Sequence, residues 1–306
     1  MGRFIAQRLV VTVPMVLVVV SLTWGLIRLA PGNFYTGEKA IPPAIEANIR
    51  EKYGLDRPWY VQYGKMLGQT LRGDFGNSLR YRGQPVNDIL RATLPVSASL
   101  GLAAYLLALG VGTVVGTISA VRQNSQVDYT SMAFAMIGIS LPNFVLGPLL
   151  VLGFALSLYW LPPARWDGFL SANTILPVIT LSALYTAYIA RLTRAGMLEV
   201  LRSNYIRTAR AKGLDERSIV LRHALRGGLL PVVSFSGPAL ALLISGTVVV
   251  ERIFALPGLG NYFINANLNR DEPLIIGIVA FMAIVVLLFN LAVDVLYGFL
   301  DPRVRY

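Results

Sequence analysis

Asn204-Tyr205-Ile206-Arg207-Thr208-Ala209-Arg210-Ala211-Lys212-Gly213-Leu214 is a basic island in a chain that is apolar for most of its length. Leu198, Leu201, Tyr205 and Thr208 are spaced to share one face of a helix from Met197 to Lys212, with Arg202, Arg207 and Arg210 elsewhere. Gly213 should end that helix, because glycine takes the left-handed conformation that closes a helical turn. Asp215 is placed to cap a second helix carrying Ile219, Val220, Leu221, Ala224 and Leu225. The expectation is two short helices around a tight turn. Ala209 and Ala211 suit a helix whose backbone must approach another protein closely, and the flanking bases would orient it. The same composition suits a hairpin lying on anionic lipid, and charge count does not separate the two.

Outward from this island, the chain has 306 residues, 55% hydrophobic and only 14% charged, with a mean hydropathy of +0.60. That is more apolar surface than a soluble core buries, so the chain belongs in lipid. The formal net charge of +11 is dispersed between apolar runs, which fits membrane orientation and not a phosphate-tracking stripe, so no nucleic-acid partner is expected. With no cysteine, disulfides, thiolate catalysis and cysteine-ligated metal are excluded. His223 is the only histidine, which leaves no imidazole pair for a metal and reads as a structural or interface residue.

Crossing a bilayer of about 30 Å takes roughly 20 helical residues. Apolar runs from Leu9 to Ile27, Thr93 to Val121, Tyr129 to Leu158, Asn173 to Ala190, Leu229 to Val250 and Leu274 to Leu300 meet that need, giving about six spans in an all-α integral membrane protein. Arg28-Leu29-Ala30-Pro31-Gly32 offers no small-x-small cleavage site, so the first span reads as uncleaved. Arg3, Arg8, Arg122, the run from Arg191 to Arg226, Arg303 and Arg305 all fall on one side if there are six spans, and the positive-inside rule then makes both termini cytoplasmic. The segment 31–92 falls on the outer side despite its bases, since long loops translocate largely regardless of charge. Within it Pro42 to Leu71 reads as helical and Gly73-Asp74-Phe75-Gly76 as a turn, making a small extracytoplasmic module. The expected organisation is a first transmembrane helix at 1–30, that module, and a transmembrane core at 93–306 with a cytoplasmic loop at 191–226.

Between the last two spans Pro257, Gly258 and Gly260 break the helix while apolar neighbours keep the segment near the membrane. With Glu251 it frames the outer mouth of a pore, or is an ordinary connecting loop; periodicity fits both. Ser236, Ala239 and Ser245 serve helix packing or leave room along a path. Asp294 reads as a pore-lining charge or as the buried partner of a base such as Arg191, and its place within two turns of the span's inner end favours the second. No lysine stands in a GxxxxGK[ST] loop, so the chain has no phosphate-cradling ATPase site of its own. Nor is there a nucleophile, base and oxyanion constellation for an enzyme.

Tyr205 to Leu214, followed by Leu221-Arg222-His223-Ala224-Leu225-Arg226, resembles the cytoplasmic coupling loop of the peptide-type permeases of bacterial ABC importers. Arg28-Leu29-Ala30-Pro31-Gly32, Gly73-Asp74-Phe75-Gly76, Leu256-Pro257-Gly258-Leu259-Gly260 and the ending Val293 to Tyr297 with Asp301-Pro302-Arg303 look like that family too. Thr36-Gly37-Glu38-Lys39 and Pro42-Pro43 look most similar to the first permease component of oligopeptide importers, with dipeptide permeases close behind. Arg207-Thr208 and Arg226 stand where the general importer motif has a glutamate and a proline, a variant that peptide-type permeases resemble themselves. The resemblance implies a type I ABC importer permease fold in the bacterial cytoplasmic membrane. It implies uptake of oligopeptides or dipeptides by a subunit that forms the path and does no covalent chemistry. Implied partners are a second homologous permease, two cytosolic ATP-binding subunits holding ATP and Mg, an extracytoplasmic peptide-binding protein, and membrane lipid. Tyr205, Arg207, Thr208, Ala209, Arg210, Ala211, Lys212, Gly213, Leu214 and His223 would then contact the ATPase. The alternative is a stand-alone channel or an ion-coupled secondary transporter.

Overall fold

Apolar segments without water to bond their backbone must satisfy it internally, and here they do so as helices. A computed structural model describes residues 2–30, 47–48, 51, 54, 56–81, 83–163, 165–169, 171–245 and 248–300. Among these, five helical stretches are long and apolar enough to cross a membrane: Val10–Leu29, Val86–Val121, Ala172–Leu201, Leu230–Ile253 and Glu272–Val293.

A sixth span, expected as one run from Tyr129 to Leu158, is instead a pair, Gln126–Ser140 and Asn143–Ser157, bent by 107°. Pro142 explains the break. It has no N–H to continue the ladder, and its ring drives the preceding residue out of the helical region, leaving Leu141 extended at φ −94° and ψ 114°.

The described residues form two compact units, one of those within Val96–Pro257 and Leu288–Tyr306, the other of those within Gly2–Pro95 and Gly258–Leu287. In the first, Leu100, Leu176, Ile189, Leu243, Phe254 and Leu256 are buried in a common core. Glycines let its helices close up: a Cβ on Gly116 would collide with Ala190 O, and one on Gly138 would lie 2.5 Å from Ala183 O. A separate cluster of Ala120, Met197, Ile206, Ala209, Ile219, Val220 and Ala224 supports the basic island.

In the second unit, Val86, Ile89, Leu274 and Ile278 form one core, and Val20, Trp24, Ile276 and Ala280 another. Asp271, fully buried, accepts from the Ser78 hydroxyl and from the backbone N–H groups of Leu79, Arg80 and Leu274, so the loop after Gly76 is fastened to the start of the last long helix. The helix expected from Pro42 to Leu71 is interrupted: Ala47, Asn48 and Glu51 are helical as expected, but Gly54 sits at φ +66° and Pro58 precedes a separate helix, Trp59–Leu71; Pro42 to Glu46, Ile49, Arg50, Lys52, Tyr53 and Leu55 lie outside the described residues. The turn at Gly73 to Gly76 has both glycines left-handed, at φ +70° and +73°, with Asp74 Oδ1 accepting from Gly76 N.

Candidate functional site

The helix Ile175–Leu201 does not continue to Lys212. It stops at Arg202, and a new helix, Asn204–Ala211, starts after extended Ser203 at φ −71° and ψ 157°. Ser203 turns its hydroxyl back to Val200 O, a local bond that competes with helix propagation. The break shifts the phase of the apolar face. Leu198 and Leu201 pack on the hairpin core as expected, but beyond the break Ile206 and Ala209 point inward while Tyr205 and Thr208 face solvent. Ala209 therefore serves the hairpin's own packing, and only Ala211 presents its small side chain outward.

Gly213 closes the first arm at φ +79°, with Gly213 N bonded to Arg210 O and Leu214 N to Ala209 O, a glycine-ended helix stop. Asp215 then caps the second arm, its carboxylate accepting from Ser218 N at 2.9 Å. That arm runs Glu216–Ser218, widens to π winding over Ile219–Ala224 and ends in Leu225–Gly228. Ile219 and Ala224 are fully buried. Burying an isoleucine such as Ile206 or Ile219 contributes about 2 kcal/mol, so the two arms hold together through their own apolar faces.

What remains outside is polar and charged. Arg207, Thr208, Arg210, Lys212 and Gly213 are exposed, as are Tyr205 and Leu214. Arg210 grips Glu216 with Nε and Nη2 at 2.7 and 3.2 Å across the turn, which holds the Glu216 carboxyl below its ordinary range and pushes the Arg210 guanidinium up. His223 is half-buried, its Nδ1 3.2 Å from Ser218 O, and its carbonyl accepts from the Tyr205 hydroxyl at 3.4 Å.

The remaining candidates divide. Ser236 is half-buried, donating to Val232 O and accepting from the Tyr105 hydroxyl, while Ala239 is fully buried in the core. Ser245 ends the helix Leu230–Ser245 and Asp294 lies in Glu272–Leu300, but their side chains, and so a partnership with Arg191, lie outside the described residues. Arg191 itself stacks on the Tyr188 ring at 5.7 Å. Glu251 is fully buried and accepts from Ser97 Oγ at 2.5 Å, so it is a packed network residue. Pro257 is exposed, and the segment after it is helical again over Leu259–Leu268, with Gly258 at its start and Gly260 buried inside it.

Sequence reading missed one constellation. Asp128, 1% exposed, receives Arg194 Nε at 2.8 Å and Nη2 at 2.7 Å, the Ser119 hydroxyl, and Asn124 N at 2.9 Å. The available signal was a carboxylate opening an otherwise uncharged apolar run, which demands a cation from elsewhere in the chain.

The chain thus combines apolar spans with a charged hairpin, packed on its own apolar cluster, between two of them. Residues 112–306 match the family described as binding-protein-dependent transport system inner membrane component, and the chain belongs to that family, a multi-pass inner-membrane protein. It is 48% identical over 306 residues to the oligopeptide transport system permease protein OppB of Salmonella typhimurium and 45% identical to that of Haemophilus influenzae, covering all of both chains. It is 39% identical to the dipeptide transport system permease protein DppB of Bacillus subtilis, covering all of this chain and 98% of that one. Solved chains of the MetNI methionine ABC transporter in inward-facing conformations share the fold at TM-scores of 0.58 and 0.56, with 17% identity, over 70% of this chain and 96% of theirs. The expected all-helical permease fold of ABC importers is present.

Proposed function

We propose that this chain is a permease subunit of an ATP-driven importer of oligopeptides or dipeptides, and that the hairpin around Gly213 is where separate ATP-binding subunits act on it. The substrate class rests on full-length similarity to permeases named for oligopeptide and dipeptide transport. In this reading ATP and Mg bind those partners, a second homologous permease completes the path, and an extracytoplasmic binding protein delivers the peptide. The basic hairpin and both termini lie in the cytoplasm, and residues 31–92 lie outside.

One observation carries the coupling role. The hairpin tip is held in a fixed left-handed turn, yet a Cβ added at Gly213 would meet nothing within 4 Å. A tip rigid in conformation and open in space is suited to enter a groove on another protein. Tyr205, Leu214 and Leu221 supply exposed apolar contact beside the bases, which a purely electrostatic lipid face would not need.

The test uses proteoliposomes holding both permeases, the ATP-binding subunits and the binding protein. Gly213→Val should abolish peptide uptake although the complex assembles, because a β-branched residue is strained at positive φ. Gly213→Asn, which tolerates that conformation, should keep most of it. Uptake without ATP-binding subunits, or normal uptake by Gly213→Val, would refute the reading.

A further inference from the structure

Four helical segments of one compact unit meet at the base of the hairpin. Asp128, in the first turn of Gln126–Ser140, sits at the centre with both carboxylate oxygens doubly satisfied. Its donors come from three places: Ser119 near the end of Val86–Val121, Asn124 in the left-handed turn at φ +61°, and Arg194 on Ile175–Leu201, two turns before the hairpin begins. Ser125 caps the same turn by accepting from Asp128 N at 3.3 Å. A second tie lies at the surface, where Arg202 Nη2 donates to Gln123 Oε1 at 3.1 Å, joining the turn to the last residues before the first hairpin arm.

The surrounding packing reinforces these bonds. Ala120 belongs to the hairpin's own apolar cluster, with Met197, Ile206 and Ile219. Gly116 brings its helix onto Ala190 and Thr193, and a Cβ on Gly196 would collide with Gly228 O, so the end of the second arm is pressed on the helix that carries Arg194. Loads on either arm reach the Asp128 node through close-packed atoms, which transmit displacement because they cannot compress.

We propose that Asp128 and Arg194 are positioning residues for transport: their ion pair locks the turn at 122–125 to the hairpin, so that turn, hairpin and the end of Ile175–Leu201 move as one rigid body when the partner ATPase acts. The proposal rests on the coupling role given to the hairpin above. A buried bidentate pair suits this task because the fork fixes direction as well as distance. Packing alone would let the helices slide. With the lock in place, motion of the hairpin turns the start of the bent pair Gln126–Ser140 and Asn143–Ser157 as well.

Two experiments in the full reconstituted complex test it. Asp128→Asn keeps the side chain's shape and removes its charge; peptide taken up per ATP hydrolysed should fall about tenfold, with hydrolysis per assembled complex persisting. A parent-like ratio, even in a complex that assembles poorly, would mean a structural role only and overturn the proposal. The second experiment does not depend on a weakened fold. Because the chain has no cysteine, Gln123→Cys with Arg202→Cys gives a unique pair for a short bifunctional thiol reagent. Cross-linked complexes should transport as the parent does, since the bridged sites belong to one body. Arrest of uptake on cross-linking, reversed by cleaving a reducible linker, would show that turn and hairpin move apart and would sink the proposal. Gly213→Val run alongside separates the two levels. If it transports normally the coupling reading itself fails, whereas its loss of uptake together with cross-link arrest removes the lock alone.

Discussion

Two arginine forks in the same compact unit grip carboxylates in nearly the same way, Arg194 on Asp128 at 2.8 and 2.7 Å and Arg210 on Glu216 at 2.7 and 3.2 Å. Their surroundings differ. Asp128 is 1% exposed and receives two further donors, whereas the Glu216 side chain is 64% exposed with Arg210 as its fork. Removing Arg194 strands the Asp128 carboxylate away from water, while the exposed pair is screened by salt and contributes little. The ion pair at the base of the hairpin is therefore shielded from water, and the one across its tip is open to it.

The contrast breaks most easily at the base. Arg194→Ala leaves the Asp128 carboxylate buried and unpaired and should destabilise the purified complex by about 3–5 kcal/mol, read as a lower thermal unfolding temperature. Replacing both residues by alanine should recover part of that loss. An Arg194→Ala protein as stable as the parent would erase the distinction between base and tip. The next effect in size is expected where the second arm meets the helix. Gly196→Ala drives a methyl into Gly228 O, and this overpacking should cost about 1–3 kcal/mol in the same unfolding measurement.

At the tip, stability and function should separate. Gly213→Val strains one residue by about 1–2 kcal/mol and its Cβ meets no other atom within 4 Å, so the unfolding temperature should fall only slightly while uptake is lost. Equal losses in both would assign Gly213 to folding instead. The smallest effect belongs to Glu216. Its carboxyl is depressed in the folded protein by Arg210, so the pair's stabilisation is present above the ordinary glutamate range and disappears only as pH falls through the lower folded value. Glu216→Gln should therefore differ from the parent by a small, constant amount from about pH 8 down to pH 5, with the gap closing below about pH 4. A gap that opens or closes near neutrality would point to a different titrating group.

What was legible in the sequence was local. Gly213 ending one arm and Asp215 capping the next depend on backbone conformations that only a few residue types favour, and both occur where expected. The apolar spans were legible because lipid demands about 20 residues of uniform character. Hydropathy, however, averages over a window and does not register a dihedral, so the bend at Leu141 and Pro142 was hidden inside an apolar run. The break at Arg202 and Ser203 was hidden for a similar reason: leucine spacing continued across it, and the predicted face followed Tyr205 and Thr208 outward while Ile206 and Ala209 turned in. Asp128 and Arg194 are separated by 66 positions, and a pairing at that distance is written in the fold alone. The small residues Ser236, Ala239 and Ser245 read equally as packing or path, since the absence of bulk that would leave room also lets Ala239 pack in the core.

The central claim, that the hairpin is a cytoplasmic docking element for a separate ATPase, is tested most directly by Lys212→Cys, the sole thiol in this chain, in the assembled complex. A short thiol cross-linker should join it to an ATP-binding subunit, and a membrane-impermeant thiol reagent should reach it only in inside-out vesicles. Labelling from outside intact cells, or cross-linking to the extracytoplasmic binding protein, would contradict the account.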